Sequence, residues 1–281
     1  MPLGKAVEYG SLSARCHVIR SRLITPQALE QLAGSRGVGE LASTLSATPY
    51  SSFISEVSAE GIQQGLSEAF EYQRKKIMLG LQKRHLEIFN LFFMAKYRLL
   101  DEKISGKQTV NPEEFFHQID KNYSKLLKKS MLQIPSLERH QLKKIVGSYF
   151  DLLNLYTLVK FRLLHRLSTE ETLTYMLPFV EKFTFSKLAK LCSVATLQQL
   201  SSAIEPTVKD TFDSYETFRK VLYRYHQKYL LSVWSGYPFS IAIPFSLLRL
   251  IEIEISNLRA ITEGVTFGLN KREIMMMTVG D

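Results

Sequence analysis

Apolar residues return at intervals of three, four or seven along most of the chain, the spacing of one face of an α-helix. The clearest run, from about Gly61 to Leu100, sets Ile62, Leu66, Phe70, Ile77, Leu81, Ile88, Leu91, Ala95 and Leu99 on such a stripe, with Gly80 as a bending point. Unbroken, it would be a helix about 60 Å long at 1.5 Å per residue. Further long helices are predicted over about Leu137 to Leu164 and over Ser240 to Glu263, the latter closed by Gly264. Between them Tyr215, Phe218, Leu222, Tyr225, Tyr229 and Val233 line one face of a helix ended by Gly236-Tyr237-Pro238.

Shorter elements carry their own punctuation. Ala14 to Leu23 is a basic amphipathic run, and Thr25-Pro26 reads as an N-cap with proline at the first helical position. Gly34, Gly37 and Gly39 stop that helix, and Val38 to Leu45 forms another before Thr48-Pro49-Tyr50. Asn111-Pro112-Glu113-Glu114, Ser168-x-x-Glu171 and Asn270-x-x-Glu273 each open a helix with a capping box. Basic helices fill 112–132 up to Pro135, and small helices reach Ala203, with Glu205-Pro206 as a boundary. No stretch sustains period-two alternation between turns, so the predicted fold is all-α.

One pattern recurs inside the apolar helices: an acid, two residues, then Asn-Leu. It stands at Glu87-x-x-Asn90-Leu91, Asp151-x-x-Asn154-Leu155 and Glu254-x-x-Asn257-Leu258. Residues i and i+3 share a helix face, so each copy sets a carboxylate beside an amide. After every copy come a loop and a capped short helix. Unequal spacing excludes a regular solenoid and indicates a few related lobes of different size.

Composition adds little until charge is located. The net charge is +9, and residues 72–145, with 16 Lys/Arg against 7 Asp/Glu, hold the entire surplus. Such a segment suits acidic protein, anionic lipid or nucleic acid, or is a solvated helix face. Within it Phe115, Phe116 and Tyr123 interleave with Lys121, Lys125, Lys128 and Lys129, which supports an alternative reading as a helical nucleic-acid-binding protein. Cys16 and Cys192 lack metal or disulfide spacing, which points to a reducing compartment. The first residues do not read as a signal peptide. The most apolar stretch, Ile241 to Ile255, is interrupted by Arg249, Glu252 and Glu254, so any membrane association is expected to be peripheral.

The residues offer no recognisable catalytic motif. The six histidines are scattered, and the glycine-rich stretches at 34–39 and 264–271 lack the phosphate-loop spacing. A Glu-x-x-Asn pair departs from the Glu-x-x-His that bundles use for metals. The leading reading is structural, with the amide satisfying backbone groups near a neighbouring helix end and the acid pairing with an arginine; a partner surface is the next, and a catalytic role the last. No cofactor is expected.

Taken in order, several stretches resemble one family. Tyr9 to Thr25 is similar to its opening, Leu45-x-x-Thr48-Pro49-Tyr50 follows, and Tyr149-Phe150-Asp151-Leu152-Leu153-Asn154-Leu155 is similar to its repeated helix. Gly236-Tyr237-Pro238, Glu252 to Ile261 and Gly268-Leu269-Asn270 are similar to its close. The family is the C subunit of archaeal and bacterial V-type (A/V-type) ATPases, the d subunit of the eukaryotic enzymes. The resemblance implies three related helical lobes arranged as a funnel, in a single domain over 1–281. It implies a non-catalytic central-rotor subunit on the cytoplasmic face of the membrane. That subunit holds the tip of the central stalk, subunits D and F, against the proteolipid ring, and couples ATP hydrolysis or synthesis to proton or sodium ion transport. No nucleic-acid partner is then expected. The chain departs from the family by an apparent shortening around 100–135. Glu87, Asn90, Asp151, Asn154, Glu254 and Asn257 are expected at equivalent places in the lobes, and Arg15, Arg20, Arg22, Arg162 and Arg259 as their ion-pair partners or as stalk contacts.

Overall fold

A computed structural model describes residues 3–95, 122 and 125–279, and these carry no β-strand. In chain order the helices are α1 (Leu3–Arg20), α2 (Pro26–Ala33), α3 (Val38–Leu45), α4 (Ala59–Met78), α5 (Lys83–Phe89), α6 (Ser136–Leu158), α7 (Thr169–Thr174), α8 (Phe185–Leu191), α9 (Leu197–Val208), α10 (Tyr215–Ser232), α11 (Ala242–Thr266) and α12 (Lys271–Met277). Residues 125–132 are also helical. Single π-helical turns extend α5 (Asn90–Ala95) and α6 (Val159–Leu164). The chain forms two compact units, one from Met1–Gly80 with Ser214–Asp281 and one from Leu81–Asp213.

In the first unit α11 is the axis. Twenty of its 25 residues are buried, because α1, α2, α3, α4, α10 and α12 all pack on it. A helix enclosed on all sides must be apolar nearly all round, and its few polar side chains need internal partners. In the second unit α6 takes the corresponding place. Phe92, Phe93, Tyr149, Phe150 and Phe179 form a chain of edge-on ring contacts against it.

Three boundaries differ from the sequence reading. The helix expected over 61–100 breaks: α4 ends at Met78, a turn covers Leu79 and Gly80, and α5 starts at Lys83. Gly80 fits there because a Cβ would lie 2.9 Å from Leu12 Cδ1 of α1; the stripe beyond Ala95 lies outside the described residues. Gly264 does not end α11, which runs on to Thr266. Its bare backbone is what α12 packs against, since a Cβ would stand 2.6 Å from Ile274 Cγ1; the left-handed stop comes at Gly268, with φ 69°. Pro206 lies inside α9, which ends at Lys209 in the left-handed conformation. In the last turn a missing N–H forfeits only one bond.

The caps follow the sequence. Thr25 Oγ1 accepts from Ala28 N, and Ser168 and Asn270 form reciprocal capping boxes with Glu171 and Glu273. The box at Asn111, and Phe115, Phe116, Lys121 and Tyr123, lie outside the described residues. On α10 the stripe is buried at Phe218, Leu222 and Tyr225, while Tyr215 is exposed.

Candidate functional site

Two of the three acid-x-x-Asn copies are fully engaged. Asn154 is completely buried on α6. Its Nδ2 donates to Leu177 O at 3.0 Å, and its Oδ1 accepts from Leu177 N at 2.7 Å. Asn257, buried on α11, does the same with one residue: Nδ2 donates to Val279 O and Oδ1 accepts from Val279 N, both at 2.7 Å. A primary amide is the side chain that can offer a donor and an acceptor side by side to one peptide unit. Each asparagine therefore holds an extended segment against its long helix as a strand would.

The two sites agree in detail. Leu177 and Val279 both lie nine positions beyond their capping residues, Ser168 and Asn270. The asparagine-to-partner separation is 23 residues in one and 22 in the other. The extra residue is absorbed by the π-helical turn Val159–Leu164, since a π turn closes over one more residue than an α turn. Its signature runs through the cap. His165 N bonds Lys160 O and Leu167 N bonds Phe161 O, where Phe267 N bonds Glu263 O and Leu269 N bonds Gly264 O, each one residue shorter. Arg166 and Gly268, both two residues before the cap, share a positive φ.

The acids are also matched, by a different route. Asp151, fully buried, accepts from the backbone N of Glu181 (3.1 Å), Lys182 (2.8 Å) and Phe183 (3.2 Å), just before Thr184 caps α8. Gly147, one turn earlier on α6, permits that approach, because a Cβ would stand 3.0 Å from Glu181 N. Glu254 Oε2 accepts from Ile24 N at 2.7 Å, just before Thr25 caps α2. Leu29, Leu32, Leu41 and Leu45 of α2 and α3 recur at one constant offset as Leu188, Leu191, Leu200 and Ile204 of α8 and α9, and all eight are buried. The helix pair that follows α7 in one unit is thus supplied in the other by the beginning of the chain.

Glu254 Oε1 accepts from Tyr50 Oη at 2.6 Å. Burial pushes the Glu254 carboxyl up to about 7, against the lowering effect of these two hydrogen bonds. Tyr50 is held well above its ordinary value by burial and by the adjacent carboxylate. Beside this pair opens a cleft of about 530 Å³ bordered by α1, α4 and α11.

A family model described as ATP synthase (C/AC39) subunit matches residues 98–277, which include the second and third copies and the whole Asn154 clasp; Val279, the partner of Asn257, lies just beyond them. The chain belongs to that family. The N-terminal stretches that resemble a V-type ATPase C subunit precede the matched residues. No curated protein matches the chain.

In this ATP synthase C/AC39 chain the first copy is different: Glu87 and Asn90 are exposed, and Asn90 opens a π-helical turn. The segment at the corresponding distance, near residue 112, lies outside the described residues. The arginines singled out from sequence turn mainly to neutral partners. Arg15 donates to Lys76 O, and the Arg20 guanidinium lies 4.5 Å above the Trp234 ring. Arg162 donates to Cys192 O and Leu167 O, and Arg259 donates to Ser67 Oγ. Arg22 is exposed on the cleft.

A buried network escaped the sequence reading. Arg249 pairs with Glu252 on α11 and donates to His226 Nε2 at 3.3 Å. An Arg and a Glu three apart in an otherwise apolar helix were the available signal. Among the described residues no three His, Cys, Asp or Glu side chains gather as metal ligands. Both cysteines are buried, with the Cys16 thiol pushed up to about 12, far from a reactive thiolate.

Proposed function

We propose that this ATP synthase C/AC39 subunit is the non-catalytic rotor element that links the central stalk, subunits D and F, to the proteolipid ring. It couples ATP hydrolysis or synthesis to proton or sodium ion movement from the cytoplasmic face. The family match over residues 98–277 carries this reading. Two further observations support it. None of the described helices is long and apolar enough to cross a membrane, as a peripheral subunit requires. The carboxylates and amides of the second and third copies are committed to groups of their own unit, backbone in every case but the Tyr50 hydroxyl on Glu254, which suits close-packed parts that transmit strain. In this reading Asp151, Asn154, Glu254 and Asn257 brace their lobes, Glu87 and Asn90 do so for a third, and the exposed Arg22 faces a partner subunit. The chain as a whole then works as one domain.

The experiment is a tagged pull-down from native membranes in mild detergent. Recovery of the catalytic subunits, the stalk subunits and the ring proteolipid is expected. Recovery of the tagged chain with none of them would overturn the proposal.

A further inference from the structure

The cleft bordered by Tyr50 and Glu254 belongs wholly to the first unit, and neither clasp asparagine lines it. Three cations border it: Arg15, Arg22 and Lys76. Arg15 is fixed by its bond to Lys76 O, and Lys76 Nζ stands 5.4 Å from the centre of the Tyr72 ring. Its walls mix apolar side chains with Ser52 and the Glu254 carboxylate, and two of them, Val18 and Tyr72, are 52% and 48% exposed. Gln73 also lines it, and Gln73 Oε1 is buried without a hydrogen-bond partner.

These features specify an occupant. A buried acceptor without a donor is unfavourable until one arrives, and a phosphate group brings no donor to it. The three cations outnumber the one lining carboxylate, Glu254, which already accepts from Ile24 and Tyr50. They therefore call for a carboxylate or phosphate, and the apolar part of the walls for an apolar side chain. A backbone N–H, a carboxylate and an apolar side chain occur together in a polypeptide. A volume of about 530 Å³ holds a few residues of one.

We propose that this cleft receives an acidic peptide segment of a partner protein, an apolar residue beside an Asp or Glu, with the carboxylate on Arg15, Arg22 and Lys76 and a backbone N–H on Gln73 Oε1. The partner being another subunit of the complex rests on the function proposed above; the peptide chemistry does not.

The test uses the full chain and short acetylated peptides carrying a neutral dye, read by fluorescence anisotropy. A peptide of alternating leucine and glutamate binds, and its leucine–glutamine counterpart binds at least about tenfold more weakly, the loss expected for charge-assisted bonds. Arg22→Glu with Lys76→Glu abolishes binding. Both residues are exposed, so thermal unfolding should confirm an intact fold. Gln73→Leu weakens binding while raising the melting temperature, because the orphan acceptor is gone. Equal affinity for the two peptides, or unchanged affinity in the double charge reversal, overturns the proposal. So does binding to phosphatidylserine vesicles with none to the peptide. Co-purification of the unaltered chain with rotary ATPase subunits is measured alongside. If it co-purifies and the peptide fails, the cleft inference falls alone; if it does not, the functional reading falls and the peptide result still decides the cleft.

Discussion

At the scale of single residues, each clasp concentrates its cost in one amide. Asn154→Ala leaves the N–H and C=O of Leu177 unpaired in a buried site. At roughly 1–3 kcal/mol per orphaned group, the expected loss is about 2–4 kcal/mol by denaturant titration. Asn154→Asp keeps the acceptor but sets a carboxylate against the Leu177 carbonyl, so it should cost at least as much. A loss under about 0.5 kcal/mol in both variants would show that the clasp contributes nothing. Glu254 behaves differently because its carboxyl is raised from 4.5 to about 7. A raised carboxyl favours the protonated folded state, so its contribution is complete at low pH and is lost as pH climbs from about 4.5 through 7. Glu254→Gln imitates the protonated form. The variant should gain on the native chain by on the order of 3 kcal/mol across that window, at 1.36 kcal/mol per unit. A difference that stays constant between pH 5 and 8 would contradict the argument.

Elements were legible in the sequence where a local rule decided them. Thr25-Pro26, Ser168-x-x-Glu171 and Asn270-x-x-Glu273 all cap helices as read, since a cap is a contact among near neighbours. Glycines misled because their reason is tertiary. Gly264 reads as a stop, yet α12 needs it as a bare surface; Gly80 reads as a bend, yet α1 makes it a break. The repeated acid and asparagine were visible, but their partners were not, because Leu177, Val279 and Ile24 contribute only backbone, which carries no sequence signal. Gly147 shows how side-chain absence and clasp depend on each other. Gly147→Val drives a side chain into Glu181 and should cost about 1–3 kcal/mol by overpacking, expelling the segment that feeds Asp151. Since Asp151→Asn disturbs the same contacts, the double variant should lose clearly less than the sum of the two. Strict additivity would mean that Gly147 does not serve the Asp151 site.

For the whole molecule, chain order and spatial order differ. The unit 81–213 is continuous and carries its long helix, capped helix, clasp and Thr184-capped pair in sequence. The other unit takes α10, α11 and α12 from the end of the chain and completes its clasp with Ile24 and Tyr50 from the beginning. Its core residues Leu41, Leu45, Ile62 and Leu66 are fully buried among helices that pack on α11. Without α11 they have no cover. Residues 81–213 expressed alone should therefore unfold in one cooperative transition, because the hydrogen bonds described above for Asp151 and Asn154 are internal to that unit. Residues 1–80 alone should stay largely unfolded, and mixing them with 214–281 should restore helicity in a concentration-dependent way. Circular dichroism of the three fragments decides it. A non-cooperative 81–213, or a folded 1–80 whose signal ignores 214–281, would show that the units are not separately stabilised. The expected pattern makes α11 the element on which the discontinuous unit depends. In the proposed rotor that unit would hold its clasp by joining the two ends of the chain, so force on either end would be borne through Glu254 and Asn257 rather than by fraying a terminus.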